Sequence, residues 1–586
     1  MTQFRLAVLA ATSFLFIVAC SDGKDEPSAA VDEAGGGNQL LVHVPADTPY
    51  LFANLERVPD EVLDTFLLRV QPVLDEAQTQ LSTTLQEMEA NNASGDPGSA
   101  DPGTRLALAL MQELDGKLSR TGLTSLGVDI QTHHVVYGMG AFPVYRIGLS
   151  DPDLLRATIQ RILDKAAVST QQLDHQGVSY WRLGADAHDD APVAVFISIL
   201  ENHLAISLLP LAAEQELLPA FLGLEVPSDS DAQARLAELN RKHHYTAYGS
   251  GILDLHKMAD QFMNPESTLA QLMASQQEHS PTTFSTECTA EIHGIIDNAP
   301  MMSLGTTELT TAAIGYQYRI ETPATLAGQL IGLVSRIPAV DALTNRVLDF
   351  SFGMRFGPVR DFLIEKSTAI VEDPYLCEHL ADMNLSAVDM LEKLNQPMPP
   401  FLNNFRGIRA SISEIMMNDQ SIPENANGHL ALHVKQPEMF VGMAQMFLPD
   451  LSELAITAGD PPVRLPESLL PIPGMVAYAA MSSDAIGLAV GENEEQGLPA
   501  FLDQKPGPEG TFLSASYDMA TYLQYTDRLG KDMQGQHADH GLPPDHPAQQ
   551  IAEAGQKALQ DMLDRSHTVM KFTTDGLVID GRVTYR

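Results

Sequence analysis

The chain is poor in thiols and in lysine: three cysteines and 12 lysines stand among 586 residues, against 23 arginines and 76 acidic residues. The formal net charge of −41 argues against nucleic acid and anionic lipid surfaces as partners. Beyond residue 18 no stretch is long and apolar enough to be read as a membrane span. Catalytic signatures are missing as well. Tyr248-Gly249-Ser250-Gly251 lacks the first glycine of a nucleophile elbow, and no phosphate-binding loop occurs. Gly138-Met139-Gly140 is followed by Pro143 where a dinucleotide fingerprint needs its third glycine. Cys377-Glu378-His379 is not a zinc-protease pattern. These absences lower the case for an enzyme. They do not remove it, because a pair of hydrolytic carboxylates has no recognisable spacing. A hydrophobic content of 44% supports real cores and excludes a disordered chain.

What is present begins at the N-terminus. Arg5 supplies a positive flank, and residues 6–18 form an apolar run typical of a secretory signal. The run ends in Ile17-Val18-Ala19-Cys20, which resembles the lipobox of bacterial lipoproteins. The resemblance implies cleavage after residue 19 by signal peptidase II and acylation, palmitate included, of Cys20. Several acyl chains hold a protein durably to a membrane where one does not. The family's inner-membrane retention signal is an aspartate after the cysteine, but Ser21 stands there. The resemblance therefore implies an outer-membrane lipoprotein, its body facing the periplasm rather than the cell surface. Residues 20–39 are small, polar and glycine-containing, as a flexible tether would be. With Cys20 lipidated, Cys288 and Cys377 are left to pair in an oxidising compartment, the alternative being two buried free thiols.

The body repeats itself at long range. Leu218-Pro219-Ala220-Phe221-Leu222 returns as Leu498-Pro499-Ala500-Phe501-Leu502, and Ala205-Ile206-x-Leu208 as Ala485-Ile486-x-Leu488. Asp151-Pro152-Asp153 corresponds to Gln436-Pro437-Glu438, and Ser250 with Asp254-Leu255 to Ser514 with Asp518-Met519. Thr306-Thr307-Glu308 with Tyr318-Arg319 corresponds to Thr573-Thr574-Asp575 with Tyr585-Arg586. The order of blocks is kept, which reads as an internal duplication with a first half over 40–325 and a second over 326–586. Each half runs strand, helix from a first-turn proline, hairpin, helix. That is the order of an α+β unit, an antiparallel sheet with helices packed on one face. Each half also has a helical portion, over 58–89 with 106–118 on either side of a polar glycine-proline loop, and over 359–394 with an interruption at Pro374. The C-terminal hairpin is expected over 569–584, turning at Asp575-Gly576. A disulfide between Cys288 and Cys377 would join the halves and limit a hinge between them.

Two clusters have metal-ligating residue types. His537, His540, Asp545 and His546 offer imidazole and carboxylate ligands, but on a glycine- and proline-containing loop. Asp186, His188, Asp189 and Asp190 lack the spacing of a calcium loop. Both read first as solvated loops, and no cofactor is expected. The doublets His133-His134 and His243-His244 are placed at strand starts. Met439, Phe440, Met443, Met446 and Phe447 recur at helical spacing and are expected in a core, the sharper alternative being an adaptable apolar groove. The resulting expectation is an outer-membrane-anchored lipoprotein with a non-catalytic binding or scaffolding role. Its partners would be the membrane, through the N-terminal lipid, and envelope proteins. The alternatives are a hydrolase using carboxylates in an inter-half cleft and a periplasmic carrier of lipid or another apolar ligand.

Overall fold

The computed structural model describes residues 37–92, 102–167, 172–183, 192–276, 283–341, 344–397, 399–417, 423–447, 449–451, 454–470, 474–524 and 547–586. The signal segment with Cys20, most of the tether, and the clusters at Asp186–Asp190 and His537–His546 lie outside the described residues. The fold is α+β, with one large antiparallel sheet of 19 strands among the described residues.

The N-terminal half contributes β1 (Tyr50–Ala53), β2 (His134–Met139), β3 (Phe142–Gly148), β4 (Gln172–His175), β5 (Val178–Leu183), β6 (Val193–Ile199), β7 (His203–Pro210), β8 (Ser250–Asp254), β9 (Met301–Leu309) and β10 (Ala313–Glu321). The C-terminal half contributes β11 (Leu348–Phe352), β12 (Phe405–Met417), β13 (Pro423–Val434), β14 (Val463–Arg464), β15 (Ala477–Met481), β16 (Ala485–Val490), β17 (Thr511–Asp518), β18 (Leu563–Thr573) and β19 (Gly576–Tyr585). The pairings place the first set in the spatial order 4-5-6-7-3-2-1-8-9-10. The second set continues it as 19-18-17-11-12-13-16-15-14. Reading outward from the centre, the two sets follow the same sequence of connections. The halves meet where β10 pairs with β19 from Ala313↔Thr584 to Glu321↔Gly576. The expected inter-half cleft is therefore replaced along this seam by main-chain hydrogen bonds. The edge left by the last strand of each half is satisfied by the other.

In the N-terminal half helices cover both faces, correcting the expectation of one. Strand alternation sends successive side chains of β6 to opposite sides. Ala194 and Phe196 enter a core with Phe221 and Leu222, from the end of helix Glu214–Phe221, and with Leu236 of helix Ala232–His243. Ile197 and Ile199 turn the other way, to Leu155 and Leu163 of helix Pro152–Ala166. The hairpin runs 193–199 and 203–210 are apolar on both sides. Pro152 sits in the first turn and Asp151 caps the backbone N–H of Leu154 at 2.9 Å, as the sequence indicated. The two helical portions appear as Asp60–Asn92 with Pro102–Leu114, and Phe356–Glu372 with Ala381–Leu394.

Three further readings are revised. His243 ends helix Ala232–His243 and His244 is its left-handed cap at φ 58°, so this doublet is not at a strand start. His134 does open β2. The apolar run of helix Pro437–Phe447 is only partly in a core: Met446 is 80% exposed and Met439 is also exposed, while Phe440 and Met443 are half-buried. The hairpin turns Leu200–His203 and Ser482–Ala485 coincide structurally, since 199↔204 and 481↔486 are the last pairs before each. The Ala-Ile-x-Leu match is therefore two residues out of step with the hairpins that carry it.

Cys288 and Cys377 stand at disulfide distance, with Cα atoms 4.5 Å apart. Cys288 lies on helix Thr286–Ile296, and Ser285 caps its N–H at 3.1 Å. Glu291 of the same helix accepts from the N–H groups of Leu376 and Cys377 at 2.8 and 2.9 Å. The last helix of the N-terminal half is thereby tied to the helical portion of the C-terminal half. The reverse arrangement also occurs, because helix Pro547–Met562 packs on helix Asp60–Asn92.

Candidate anion-binding cleft

Three arginines from distant parts of the chain line one cleft of about 360 Å³. Helix Ala324–Leu333 delivers the chain to Val334, Ser335 and Arg336. This segment runs beside the end of β11, with Ser335 N–H donating to Gly353 O at 3.1 Å and Arg355 N–H to Leu333 O at 2.8 Å. Arg355 is the residue from which helix Phe356–Glu372 starts, so the positive end of that helix dipole begins at the cleft. Arg406 is the second residue of β12, and Glu509 and Gly510 lead into β17. Glycine makes the approach possible: a Cβ on Gly407 would stand 2.3 Å from Phe352 O.

The electrostatics are one-sided. Arg336, Arg355 and Arg406 face a single carboxylate, that of the exposed Glu509. The Arg355 Nε is buried with no hydrogen-bond partner among the described residues. Burial first, and the Arg355 charge second, push Arg406 below the usual arginine range. Unpaired like charges are costly in a folded protein, more notably so in one with a net charge of −41. Planar guanidiniums with fixed N–H forks are suited to a phosphate or carboxylate group.

Two other guanidiniums are deeply buried and bonded to main-chain carbonyls, although the Arg409 Nε, like that of Arg355, has no hydrogen-bond partner among the described residues. Arg146 on β3 donates to Tyr137 Oη at 3.1 Å, to Ala220 O at 3.2 Å and to Phe221 O at 2.9 Å. Its fourth partner is His203 Nε2 at 2.8 Å. Arginine only donates, so this nitrogen accepts and the His203 Nδ1–H is directed to Asn202 Oδ1 at 2.8 Å. Burial, then the Arg146 charge, hold His203 down at about 3. In the C-terminal half Arg409 on β12 donates to Phe501 O at 3.0 Å and Gln504 Oε1 at 2.7 Å. Burial pushes Arg409 down to about 10. Both cations thus meet the final carbonyls of the Leu-Pro-Ala-Phe-Leu helices, but from neighbouring strands. Arg146 faces Val135 across β2–β3, whereas Arg409 faces Ala431 across β12–β13.

The sheet itself supplies a second feature, a cross-strand row that crosses the seam. On the C-terminal side it runs Ile486, Leu432, Ile408, Phe352, Leu513, Met570 and Ile579. It continues through Tyr318, Leu304, Gly251, Phe52, Val136, Tyr145, Ile206, Ile197 and Trp181. Every member is apolar or aromatic except Gly251, whose missing side chain is replaced by the Phe52 ring: a Cβ there would lie 1.8 Å from Phe52 Cδ1. The opposite face at the seam is polar. Lys571 Nζ meets Asp580 Oδ2 at 2.7 Å, and Gln317 donates to Asp580 Oδ1 at 2.6 Å. Yet the apolar row is open in its central part, with Tyr318 48% and Ile408 41% exposed.

Of the site residues marked in the sequence, Cys288 and Cys377 are brought together, while Cys20, His537, His540, Asp545 and His546 lie outside the described residues. The cleft was missed because nothing local marks Arg336, Arg355 and Arg406. No family model matches the chain, and no curated protein or solved structure does so either.

Proposed function

We propose that this chain is a lipid-anchored binding protein of the bacterial cell envelope, one that holds an anionic group rather than transforming it. The observation that carries the reading is the three-arginine cleft. Arginine stays protonated at any physiological pH, so it recognises and orients but neither attacks nor abstracts a proton. Acylated Cys20 would hold the body at the outer membrane, facing the periplasm, where envelope partners are in reach. The continuous sheet suits a rigid platform more than a hinged clamp.

We further read the two strand sets as copies of one ancestral unit. Support comes from the matching connection order outward from the seam, and from the guanidinium that meets Phe221 O in one half and Phe501 O in the other. A hydrolase is the weaker reading. Among the described residues the carboxylates whose titration is displaced are Asp60, Glu113, Glu238 and Glu365, and basic partners shift each of them downward, away from the range of a general acid. Asp460, Glu495 and Asp503 do share a cleft, but it lies near the far end of the C-terminal strands rather than between the halves.

Thermal-shift titration of the mature chain with inorganic phosphate, sulfate and acetate tests the binding role. Stabilisation that Arg355→Gln/Arg406→Gln removes is the expected result. Equal response of wild type and variant would refute it. Intact-mass analysis of the mature N-terminus tests the anchor separately, the expected species being acylated Cys20.

A further inference from the structure

We infer that Asp297, His256, His293 and Asp260 form a proton-sharing clamp that latches helix Thr286–Ile296 onto helix Leu255–Met263, and that the latch holds only while the two imidazoles carry one positive charge between them. The inference is independent of the anion site and concerns how the halves are tied.

The clamp is built from one spacing used twice. His256-x3-Asp260 lies on the first helix, and His293-x3-Asp297 lies at the end of the second. Residues four apart share a helix face, and here the two faces meet crosswise. His256 Nε2 stands 3.0 Å from Asp297 Oδ1, and His293 Nε2 stands 3.1 Å from Asp260 Oδ1. Between these ion pairs the two Nδ1 atoms are 2.7 Å apart. The ring centroids are 4.9 Å apart with planes 17° from parallel, so the rings meet edge to edge, nitrogen to nitrogen. That separation is a hydrogen-bond length, too short for two metal–nitrogen bonds of about 2.0 Å set in line.

Donor counting fixes the proton number. An ionised carboxylate only accepts, so each Nε2 carries a hydrogen, and the central contact needs one Nδ1–H and one bare Nδ1. The four groups thus hold three N–H protons in three hydrogen bonds, and the imidazole pair has a charge of +1. Removing a proton turns one contact into acceptor against acceptor. Adding one points two N–H groups at each other. The helix dipoles place the central proton. His293 is in the last turn of its helix, where a cation is favoured, and His256 is in the first turn of its own, where it is not. His293 is the donor and His256 the acceptor.

The other charged groups on the packed elements are engaged elsewhere. Asp254, at the end of β8, caps the Lys257 N–H at 3.0 Å, and Lys257 Nζ donates to Ala46 O at 2.9 Å. Glu287 is in the first turn of its helix, at the end away from His293, and helix Thr268–Gln276 has no charged residue. Past the disulfide, His379 packs on Phe284 and pairs with Glu378. Side-chain exposures of 29% and 28% for His256 and His293 let bulk pH reach the clamp. The latched helix also carries Cys288 and Glu291, which hold Cys377 and the Leu376 and Cys377 N–H groups. Loosening it therefore loosens the tie to the C-terminal half.

Hydrogen exchange of the mature chain in amphipol tests the latch, recorded as protection factors from about pH 5 to about pH 9, either side of the ordinary histidine value. Protection of 286–296 should pass through a maximum and fall on both sides, and the amides of Leu376 and Cys377 should follow it. Helix Pro152–Ala166, which has no histidine, should show no such maximum. His256→Gln keeps a donor for Asp297 but deletes the central bond, and should lower the maximum about tenfold and flatten the profile. Nitrogen-15 spectra of histidine-labelled protein give a readout that stability does not move: coupling between the His256 and His293 Nδ1 atoms across the shared proton. A profile at 286–296 that is flat or runs in one direction overturns the latch. Absence of the coupling at the pH of greatest protection overturns the shared proton. A maximum at 286–296 that 376–377 does not share overturns the reach to the other half.

Discussion

The two halves follow one connection order but are packed differently. The N-terminal core is built from bulky side chains: Leu51, Tyr137, Phe196, Leu209, Phe221 and Leu236 are almost fully buried. The C-terminal core is smaller and rich in alanine, with Ala431, Ala480, Ala485 and Ala489 around Leu498, Phe501 and Leu502. The contrast extends to the cleft. Matching the Val135–Arg146 pair to Arg409–Ala431 aligns His134 with Ile408, and Arg406, the extra residue of an irregularity in β12, falls level with a position before β2 begins. Burial depresses the His134 imidazole and favours its neutral form. Asn38 fills the space beside it, donating to Asn54 O at 2.8 Å and His134 O at 3.0 Å. Neutral hydrogen bonds seal the start of β2. The start of β12 is open and cationic. The difference teaches that the N-terminal half holds the bulkier core and the C-terminal half the arginine cleft.

The largest expected effect falls on the tie between the halves. Removing it with Cys288→Ser/Cys377→Ser opens a loop of sequence separation 89, and should cost roughly 4 to 5 kcal/mol in the chain-entropy account, measured by urea unfolding. Next come the paired phenylalanines. Phe221→Ala should cost about 3 to 5 kcal/mol, and Phe501→Ala about half as much, because its smaller, alanine-lined surroundings give up fewer contacts. Trp181, the only tryptophan and buried in the N-terminal half, reports that half's unfolding by fluorescence. Equal losses would contradict the contrast in packing.

Acid should also separate the halves. Burial holds His43, His203 and His243 down to about 4, 3 and 4 in the N-terminal half, with His433 at about 4 in the C-terminal half. The unfolded chain takes up these protons first, near the ordinary histidine value of about 6.5. Stability is therefore complete above that pH, falls as pH drops, and stops falling on this account below the folded values. Each histidine contributes up to about 1.4 kcal/mol per pH unit within the window. The Trp181 signal should accordingly move at higher pH than hydrogen exchange in β12, β13 and β16.

The smallest effect concerns the exchanged cation. Arg409→Val strands the Phe501 carbonyl and should cost about 1 to 3 kcal/mol. Adding Ala431→Arg rebuilds the arrangement of Val135 and Arg146 and should recover about half of that loss. A double variant no better than the single one would count against reading the halves as copies.

Much of the local structure was legible in the sequence. Proline in the first turn placed helices Pro152–Ala166 and Pro437–Phe447, and Asp575-Gly576 placed the C-terminal hairpin. What could not be read was anything that depends on register between distant strands. Arg336, Arg355 and Arg406 become neighbours only through β11, β12 and β17, which come from separate stretches of chain. The second covered face was hidden for a related reason: runs such as 193–199 are apolar at both parities, and alternation cannot then say which side is buried. The seam was likewise invisible, since residues 313–321 and 576–585 read as ordinary strands and nothing in either names the other as partner.

Hydrogen exchange of the mature chain with and without inorganic phosphate tests most directly whether site and stability are divided between the halves. Slowed exchange is predicted at 333–337, 353–357, 405–408 and 509–513, with 38–56 and 133–139 unchanged. Protection of the N-terminal segments to the same degree, or of neither set, would contradict the division.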